Sequence, residues 1–238
     1  MKLSAVMPAF NEAETIEKTV RYCFEVLRDC ADISEVVVTN DGSRDATGEI
    51  LLRLQQEFPD LVVITHSPNQ GYGAALARAM DTASGDIIVS LDSDGQFDIA
   101  DIRDMLPFFS DDVAILTGYR QGKKDSLLKV FADRVMNRMI RILFSVSYRD
   151  TNCALKLYRG ALLHTLPLEA RGFQLPTEIV LKAHALGWVI RECPVRHYPR
   201  AGGQSSLAPF RTAWRMLVFL AYLRRKITLY KKGIIRSL

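Results

Sequence analysis

Asp92-Ser93-Asp94 places two carboxylates one residue apart. Such a pair reaches a hard divalent cation directly or through water, and Mg²⁺ or Mn²⁺ held this way takes its remaining oxygens from a diphosphate. A solvated turn with helix-capping aspartates reads the same, so the pair needs company. Three further polar clusters supply it: Pro8-Ala9-Phe10-Asn11-Glu12, Asn40-Asp41-Gly42-Ser43-Arg44-Asp45 and Asn69-Gln70-Gly71-Tyr72-Gly73. Each closes a short apolar run. In an open parallel sheet the ligand crevice lies outside the carboxyl ends of the strands, so four clusters on one edge make a site where one makes only a turn. Gly71-Tyr72-Gly73 is not a dinucleotide fingerprint, because Leu76 stands at the third glycine position of G-x-G-x-x-G. It predicts a tight backbone approach to a bound donor, with plain helix initiation as the alternative.

The elements that must carry these clusters alternate. Strands are expected at Leu3–Met7, Ile33–Thr39, Leu61–Thr65, Asp86–Leu91 and Val113–Gly118, with helices at Glu12–Asp29, Asp45–Phe58 and Gly73–Ala83 between them. Asn11 is a candidate N-cap for the first helix. Apolar runs without alternation suit strands covered on both faces, and repeated βα winding predicts an α/β fold with a mainly parallel, Rossmann-like sheet flanked by helices. Beyond residue 120 the pattern is less regular: a helix at Leu127–Phe144, strands at Cys153–Tyr158 and Val189–Val195, and a helix near Thr177–Leu186. We expect one domain over 1–206 and a tail over 207–238.

Charge divides the chain at the same place. Residues 1–119 hold 8 basic and 21 acidic side chains, and residues 120–238 hold 23 basic and 6 acidic. The acidic half needs a cation to hold an anionic ligand, whereas the basic half attracts one directly. With 48% hydrophobic and 24% charged residues the chain is of ordinary globular composition, which excludes wholesale disorder. Cys23, Cys30, Cys153 and Cys193 form no CxxC pair, so reduced thiols in a cytosolic protein are expected rather than a disulfide scaffold or zinc ribbon. Met1 runs straight into a strand pattern with no signal peptide expected, and no apolar run approaches the ~18–20 residues of a membrane span. The tail has eight basic residues and no acids. Met216, Phe219, Leu220, Leu223 and Ile227 recur there at helical spacing, which reads as a basic amphipathic helix on a membrane surface or as a helix docked on the sheet or a second subunit. No nucleic-acid-binding motif accompanies the positive charge.

Together the clusters resemble family 2 glycosyltransferases of the GT-A fold. Gly118-Tyr119-Arg120, the stretch Asp150-Thr151-Asn152-Cys153-Ala154-Leu155-Lys156-Leu157-Tyr158-Arg159, and Pro194-Val195-Arg196-His197-Tyr198-Pro199-Arg200 resemble its dolichol-phosphate mannose synthase-like branch, which includes bacterial polyprenyl-phosphate sugar transferases. The resemblance covers roughly residues 3–205. It implies that 1–119 is the nucleotide-sugar half and 120–206 the acceptor half. Pro8, Ala9, Phe10, Glu12 and Asp41, with Asn69, Gly71, Gly73 and Ser93, would bind the nucleotide. Asp92, Asp94 and Gln96 would hold the metal and donor diphosphate, and Arg120, Arg134 and Arg200 would face the phosphates. Phe10 stands where the family usually has Tyr, Asn40 where Asp is common and Ala154 where Gly is frequent. The first two leave the base open, with GDP-mannose first by resemblance and a UDP-hexose next.

The acceptor can be argued from chemistry. A sugar hydroxyl needs a general base, whereas a lipid phosphate is already an anionic nucleophile and needs only charge neutralisation and alignment, which arginine supplies. The expected activity is therefore inverting, metal-dependent transfer of a hexose to a polyprenyl or dolichyl phosphate at the cytosolic membrane face. A glycan-hydroxyl acceptor with Glu178 as base, and a nucleotide-sugar-binding protein without turnover, are the alternatives. His66, His164 and His184 read as ordinary positions, and His197 as a phosphate or loop contact.

Overall fold

A computed structural model of the chain describes residues 1–121, 127–199 and 209–238. Seven strands form one sheet: β1 Lys2–Ala9, β2 Ile33–Asn40, β3 Leu61–Thr65, β4 Ile87–Ser90, β5 Val113–Arg120, β6 Lys156–Arg159 and β7 Val189–Val195, in the order β3-β2-β1-β4-β6-β5-β7. β1, β2, β3 and β4 are mutually parallel, as are β5 and β7. β6 alone runs antiparallel, wedged between β4 and β5. The helices are α1 Ile16–Cys30, α2 Thr47–Glu57, α3 Tyr72–Thr82, α4 Ile102–Met105, α5 Leu127–Phe144, α6 Gly160–Leu163, α7 Leu175–Ala185 and α8 Pro209–Lys231.

The apolar runs behave as strands covered on both faces. Alternate residues of one strand enter different cores: Ala5, Met7, Val36 and Val38 join α1 and α2 on one side, while Val6, Val37 and Ile88 meet α3 and α7 on the other. The parallel register aligns Ala9 with Asn40 and Asn40 with Thr65, so the loops leaving β1, β2 and β3 emerge at one edge. Val6 lies beside Ser90, which brings the loop after β4 to the same edge.

Several boundaries differ from the sequence reading. The first helix begins at Ile16, with Thr15 at its N-cap position. Asn11 takes a left-handed φ of 56° and serves the loops instead, donating from its backbone to Ser43 Oγ and accepting from Arg44 N. β6 starts at Lys156 because residues 150–154 turn to meet α5 and α7. The C-terminal helix ends at Lys231, where Gly233 adopts a positive φ of 71°, a conformation that closes helices.

The tail's apolar stripe is spent on the protein. Met216, Leu220, Leu223 and Ile227 are buried with Ile140 of α5, Leu181 of α7 and Leu238. Burial of side chains this size stabilises by about 1.5–3 kcal/mol each. α8 therefore docks on α5 and α7 through the face that the sequence pattern offered to a membrane. A second apolar strip, Trp214, Leu217 and Val218, stays exposed, at 68% for Trp214.

Candidate active site

The four strand-end clusters converge on one cavity of about 600 Å³. Pro8, Ala9, Phe10, Asn11 and Glu12 line it from the end of β1, Asp41 from β2, Asn69, Gly71 and Tyr72 from the loop before α3, and Asp92, Ser93 and Asp94 from β4. Phe173, from the loop before α7, completes the wall. Hydrogen bonds lock the loops to one another. Ser93 Oγ donates to the Pro8 carbonyl at 2.9 Å, and Glu12 N donates to Thr47 Oγ1 at 2.9 Å.

Asp41 is the knot of this edge. Its carboxylate accepts Gln70 N at 2.9 Å and Gly71 N at 2.8 Å, with His66 Nδ1 2.8 Å away, while its carbonyl accepts Asn69 Nδ2. A buried carboxylate satisfied by backbone amides fixes a loop tightly. Asp41 thus shapes the cavity floor, and His66 is its partner rather than an ordinary position.

Gly71 and Gly73 do mark a tight backbone approach, but to the chain's own backbone. A Cβ at Gly73 would lie 2.5 Å from the Gly172 carbonyl and 2.6 Å from that of Ala170, and one at Gly71 2.6 Å from that of Arg171. Gly73 N and Ala74 N both donate to the Arg171 carbonyl. Gly73 is accordingly absent from the cavity lining, whereas Gly71, at φ 99°, reaches it.

Asp92 and Asp94 present hard oxygen donors at the cavity. Tyr72 Oη donates to Asp92 Oδ1 at 2.8 Å, and Gln96 N donates to Asp94 Oδ1 at 3.0 Å. Among the described residues no three His, Cys, Asp or Glu side chains gather as a metal cage. Two oxygen-bearing carboxylates on a cavity of this size fit a cation that draws its other ligands from substrate and water. Gln96 contributes through its backbone: its amide steers Asp94 and its carbonyl accepts Tyr198 N at 2.9 Å. Its side chain is not in the lining.

The arginines separate into three cases. Arg120 is largely buried between Asp150, 2.7 Å from Nε, and Asp133, 3.0 Å from Nη2. Burial opposes its charge, but the two carboxylates outweigh burial and hold the guanidinium above its ordinary value. Arg134 is exposed on α5. Arg200 lies outside the described residues. The chain leading to it is stitched to the loop after Asp94: Arg196 Nε lies 2.6 Å from Asp101 Oδ1, its Nη2 3.3 Å from Asp98, and buried His197 meets Phe97 edge-on.

Glu178 is not at the cavity. It is fully buried in α7, accepts Glu169 N and Ala170 N, and pairs with Lys182 at 2.7 Å. A fully buried carboxylate off the cavity lining is not placed to act as a base there.

Sequence reasoning missed Tyr72, Phe173 and the acids around Arg120. The Tyr72 and Phe173 rings stack with centroids 4.8 Å apart. Removal from water, then the Asp92 carboxylate, push the Tyr72 phenol well above its ordinary value, so it stays a neutral donor. Asp150 opens the Asp150–Arg159 stretch, and no local signal pairs it with Arg120 across thirty residues. Lys156, buried in β6 with its ammonium on the Cys153 carbonyl, has its pKa lowered by burial.

A mostly parallel sheet with its polar loops gathered at one edge and a carboxylate pair at the end of β4 defines a GT-A architecture. Solved structures share it. Glucosyl-3-phosphoglycerate synthase from Mycobacterium tuberculosis, in complex with Mn²⁺, UDP and phosphoglyceric acid, superposes with a TM-score of 0.71 at 20% identity, over 94% of this chain and 78% of that one. Its complex with Mn²⁺, UDP and glucosyl-3-phosphoglycerate gives 0.70 at 19% identity, over 94% and 79%. The family model for glycosyl transferase family 2 matches residues 4–163, and the chain belongs to that family. Undecaprenyl-phosphate 4-deoxy-4-formamido-L-arabinose transferase of Salmonella choleraesuis (strain SC-B67) is 27% identical over 205 residues, covering 86% of this chain and 62% of the relative. The protein of the same name from Salmonella newport (strain SL254) matches equally. The chain thus spans about three fifths of the length of these relatives. Among its described residues no helix is long and apolar enough to cross a membrane.

Proposed function

We propose that the protein is an inverting glycosyltransferase that moves a hexose from a nucleoside diphosphate sugar to a polyprenyl phosphate. One observation carries the reading: all four strand-end clusters line a single cavity with Asp92 and Asp94 at its side. The name of the Salmonella relatives, an undecaprenyl-phosphate sugar transferase, supports the acceptor, and the Mn²⁺ and UDP of the mycobacterial structures support a metal-assisted nucleotide donor.

In this reading the Pro8–Glu12 loop, Asn69 and Gly71 hold the nucleoside. Asp92 and Asp94 would hold Mg²⁺ or Mn²⁺, whose charge would offset that of the departing diphosphate. An acceptor phosphate oxygen attacks the anomeric carbon as the bond from that carbon to the diphosphate oxygen breaks. The electron pair leaves on the diphosphate and the configuration inverts. The nucleophile carries no proton to remove, so no side-chain base is required, which agrees with Glu178 lying buried on an ion pair. Arg134 and Arg200 neutralise and align the phosphates, whereas Arg120, already balanced by Asp150 and Asp133, holds the acceptor side in place. The nucleotide is GDP or UDP, with mannose favoured for the former.

The protein works from the membrane surface in this account. The exposed strip of Trp214, Leu217 and Val218 on α8 lies among Arg211, Arg215, Arg224 and Arg225, a pattern that suits an anionic leaflet.

A panel of UDP- and GDP-hexoses assayed with Mn²⁺ and a short polyprenyl phosphate tests the function. A polyprenyl phosphohexose product is expected with one donor. Donor hydrolysis with no lipid product in every arm would contradict the proposal.

A further inference from the structure

The wall of the cavity is tied, residue by residue, to the C-terminal helix. At the cavity end Tyr72 donates to Asp92 and stacks on Phe173. The chain just before Phe173 grips the start of α3, because Gly73 N and Ala74 N both donate to the Arg171 carbonyl. At the other end of this five-residue segment, Glu169 N and Ala170 N donate to buried Glu178. The Glu169 carboxylate shares the Lys182 ammonium with Glu178 and receives three donors: Lys182 Nζ at 2.9 Å, Lys226 Nζ at 2.8 Å and Tyr222 Oη at 2.9 Å. Tyr222 and Lys226 belong to α8.

We propose that Glu169 is a positioning residue for the donor site, and that α8, through Tyr222 and Lys226, sets the wall that Tyr72 and Phe173 form beside Asp92. The proposal rests on the reading of the cavity as the nucleotide-sugar site.

Charge balance explains why the tie matters. Glu169, Glu178, Lys182 and Lys226 form a cluster of two carboxylates and two ammoniums, with Glu178 and Lys182 fully buried. Loss of Lys226 leaves Lys182 shared between two carboxylates in a poorly solvated place, where an unbalanced charge is costly. Glu169 is the more exposed of the two and the one that can turn to water. Its amide is also a donor to Glu178, so that movement loosens the segment ending at Phe173. A short segment pinned at both ends transmits such a shift, because packed elements rearrange between discrete arrangements rather than flexing smoothly.

The test uses the full chain and reads equilibrium binding of UDP and of GDP with Mn²⁺ by calorimetry. Lys226→Met and Tyr222→Phe remove the tie from α8, Glu169→Gln removes its charge, and Tyr72→Phe removes the far end. Tyr222→Phe deletes one hydroxyl from a half-exposed ring, so a folded variant is assured even where Glu169→Gln fails to fold. The Lys226→Met/Tyr222→Phe double variant is expected to weaken nucleotide binding roughly five- to tenfold. Donor KM rises with it, while kcat and acceptor KM stay level, a split that general loss of stability does not produce. Combining Lys226→Met with Tyr72→Phe is expected to cost less than the product of the two separate losses, because both release the same wall. Unchanged binding in the α8 variants, or strictly multiplicative losses, would overturn the coupling alone. A wild-type chain that binds neither nucleotide would overturn the site reading together with it.

Discussion

Arg120 Nε sits 2.7 Å from Asp150 Oδ2, deep enough that only 3% of the Asp150 side chain meets solvent. The first arginine of the basic half is therefore neutralised before any substrate arrives, with Asp133 as its second partner. Removing one member of such a pair strands the other's charge. Arg120→Ala is expected to lower stability by about 3–5 kcal/mol. Arg120→Lys keeps the charge but loses the planar fork, so it should fold while transfer falls at least about tenfold. Urea midpoints and kcat/KM measured together check both, and an Arg120→Ala variant as stable as wild type would contradict the pairing.

Glu178→Gln separates a structural from a catalytic glutamate. The carboxylate receives two amides and one ammonium and does not line the candidate site. Its loss should destabilise the fold by several kcal/mol, because Lys182 is left buried. Activity per folded molecule should stay within a few-fold of wild type. Normal stability with activity reduced a hundredfold or more would restore the glutamate as a base.

Glu169 sets an acid limit. Burial works to raise its pKa, but hydrogen bonds from Lys226, Lys182 and Tyr222 prevail and hold it down to about 2, against an ordinary 4.5. A depressed folded pKa contributes stability that is fully present above the unfolded value and is lost as pH falls through the folded one. The contribution should fade between about 4.5 and 2 and be discounted in size, since a third of the side chain meets solvent. Denaturation midpoints of wild type and Glu169→Gln should differ at pH 6 and converge toward pH 2. A constant difference across that window would contradict the assignment.

The outer strip of α8 predicts selective membrane binding. With Trp188 replaced by Phe, Trp214 is the sole tryptophan. Its emission should shift to the blue with vesicles rich in phosphatidylglycerol and stay put with neutral ones. Leu217→Ser with Val218→Ser should weaken vesicle binding about tenfold and leave transfer to a water-soluble phosphate acceptor intact. Equal binding to both vesicle types would remove the electrostatic part of the argument.

The sheet and most of the cavity were legible in the sequence because both depend on local pattern. Apolar runs ended by Asn, Asp and Gly announce strands and their loops, so Asp41, Asp92 and Asp94 fall where expected. What stayed hidden is decided between distant segments. Gly73 reads as a substrate contact until residues 170–172 are seen pressed against it. Glu178 reads either as a base for a glycan acceptor or as half of an ion pair until Lys182 and two amides are found on it. The α8 stripe reads equally as membrane-facing or as docked until Ile140 and Leu181 are found covering it. β6 gives no hint of its direction, because four apolar-flanked residues look the same in a parallel or an antiparallel strand.

The central claim, transfer to a phosphate with no side-chain base, is tested most directly by offering the enzyme matched acceptors. Polyprenyl phosphate and the corresponding polyprenol, each supplied with labelled donor and Mn²⁺, differ only in the nucleophile. An inverted glycosyl phosphate is expected from the first and none from the second, with the product lost in Asp94→Ala. Glycosylation of the alcohol, with polyprenyl phosphate left untouched, would contradict it.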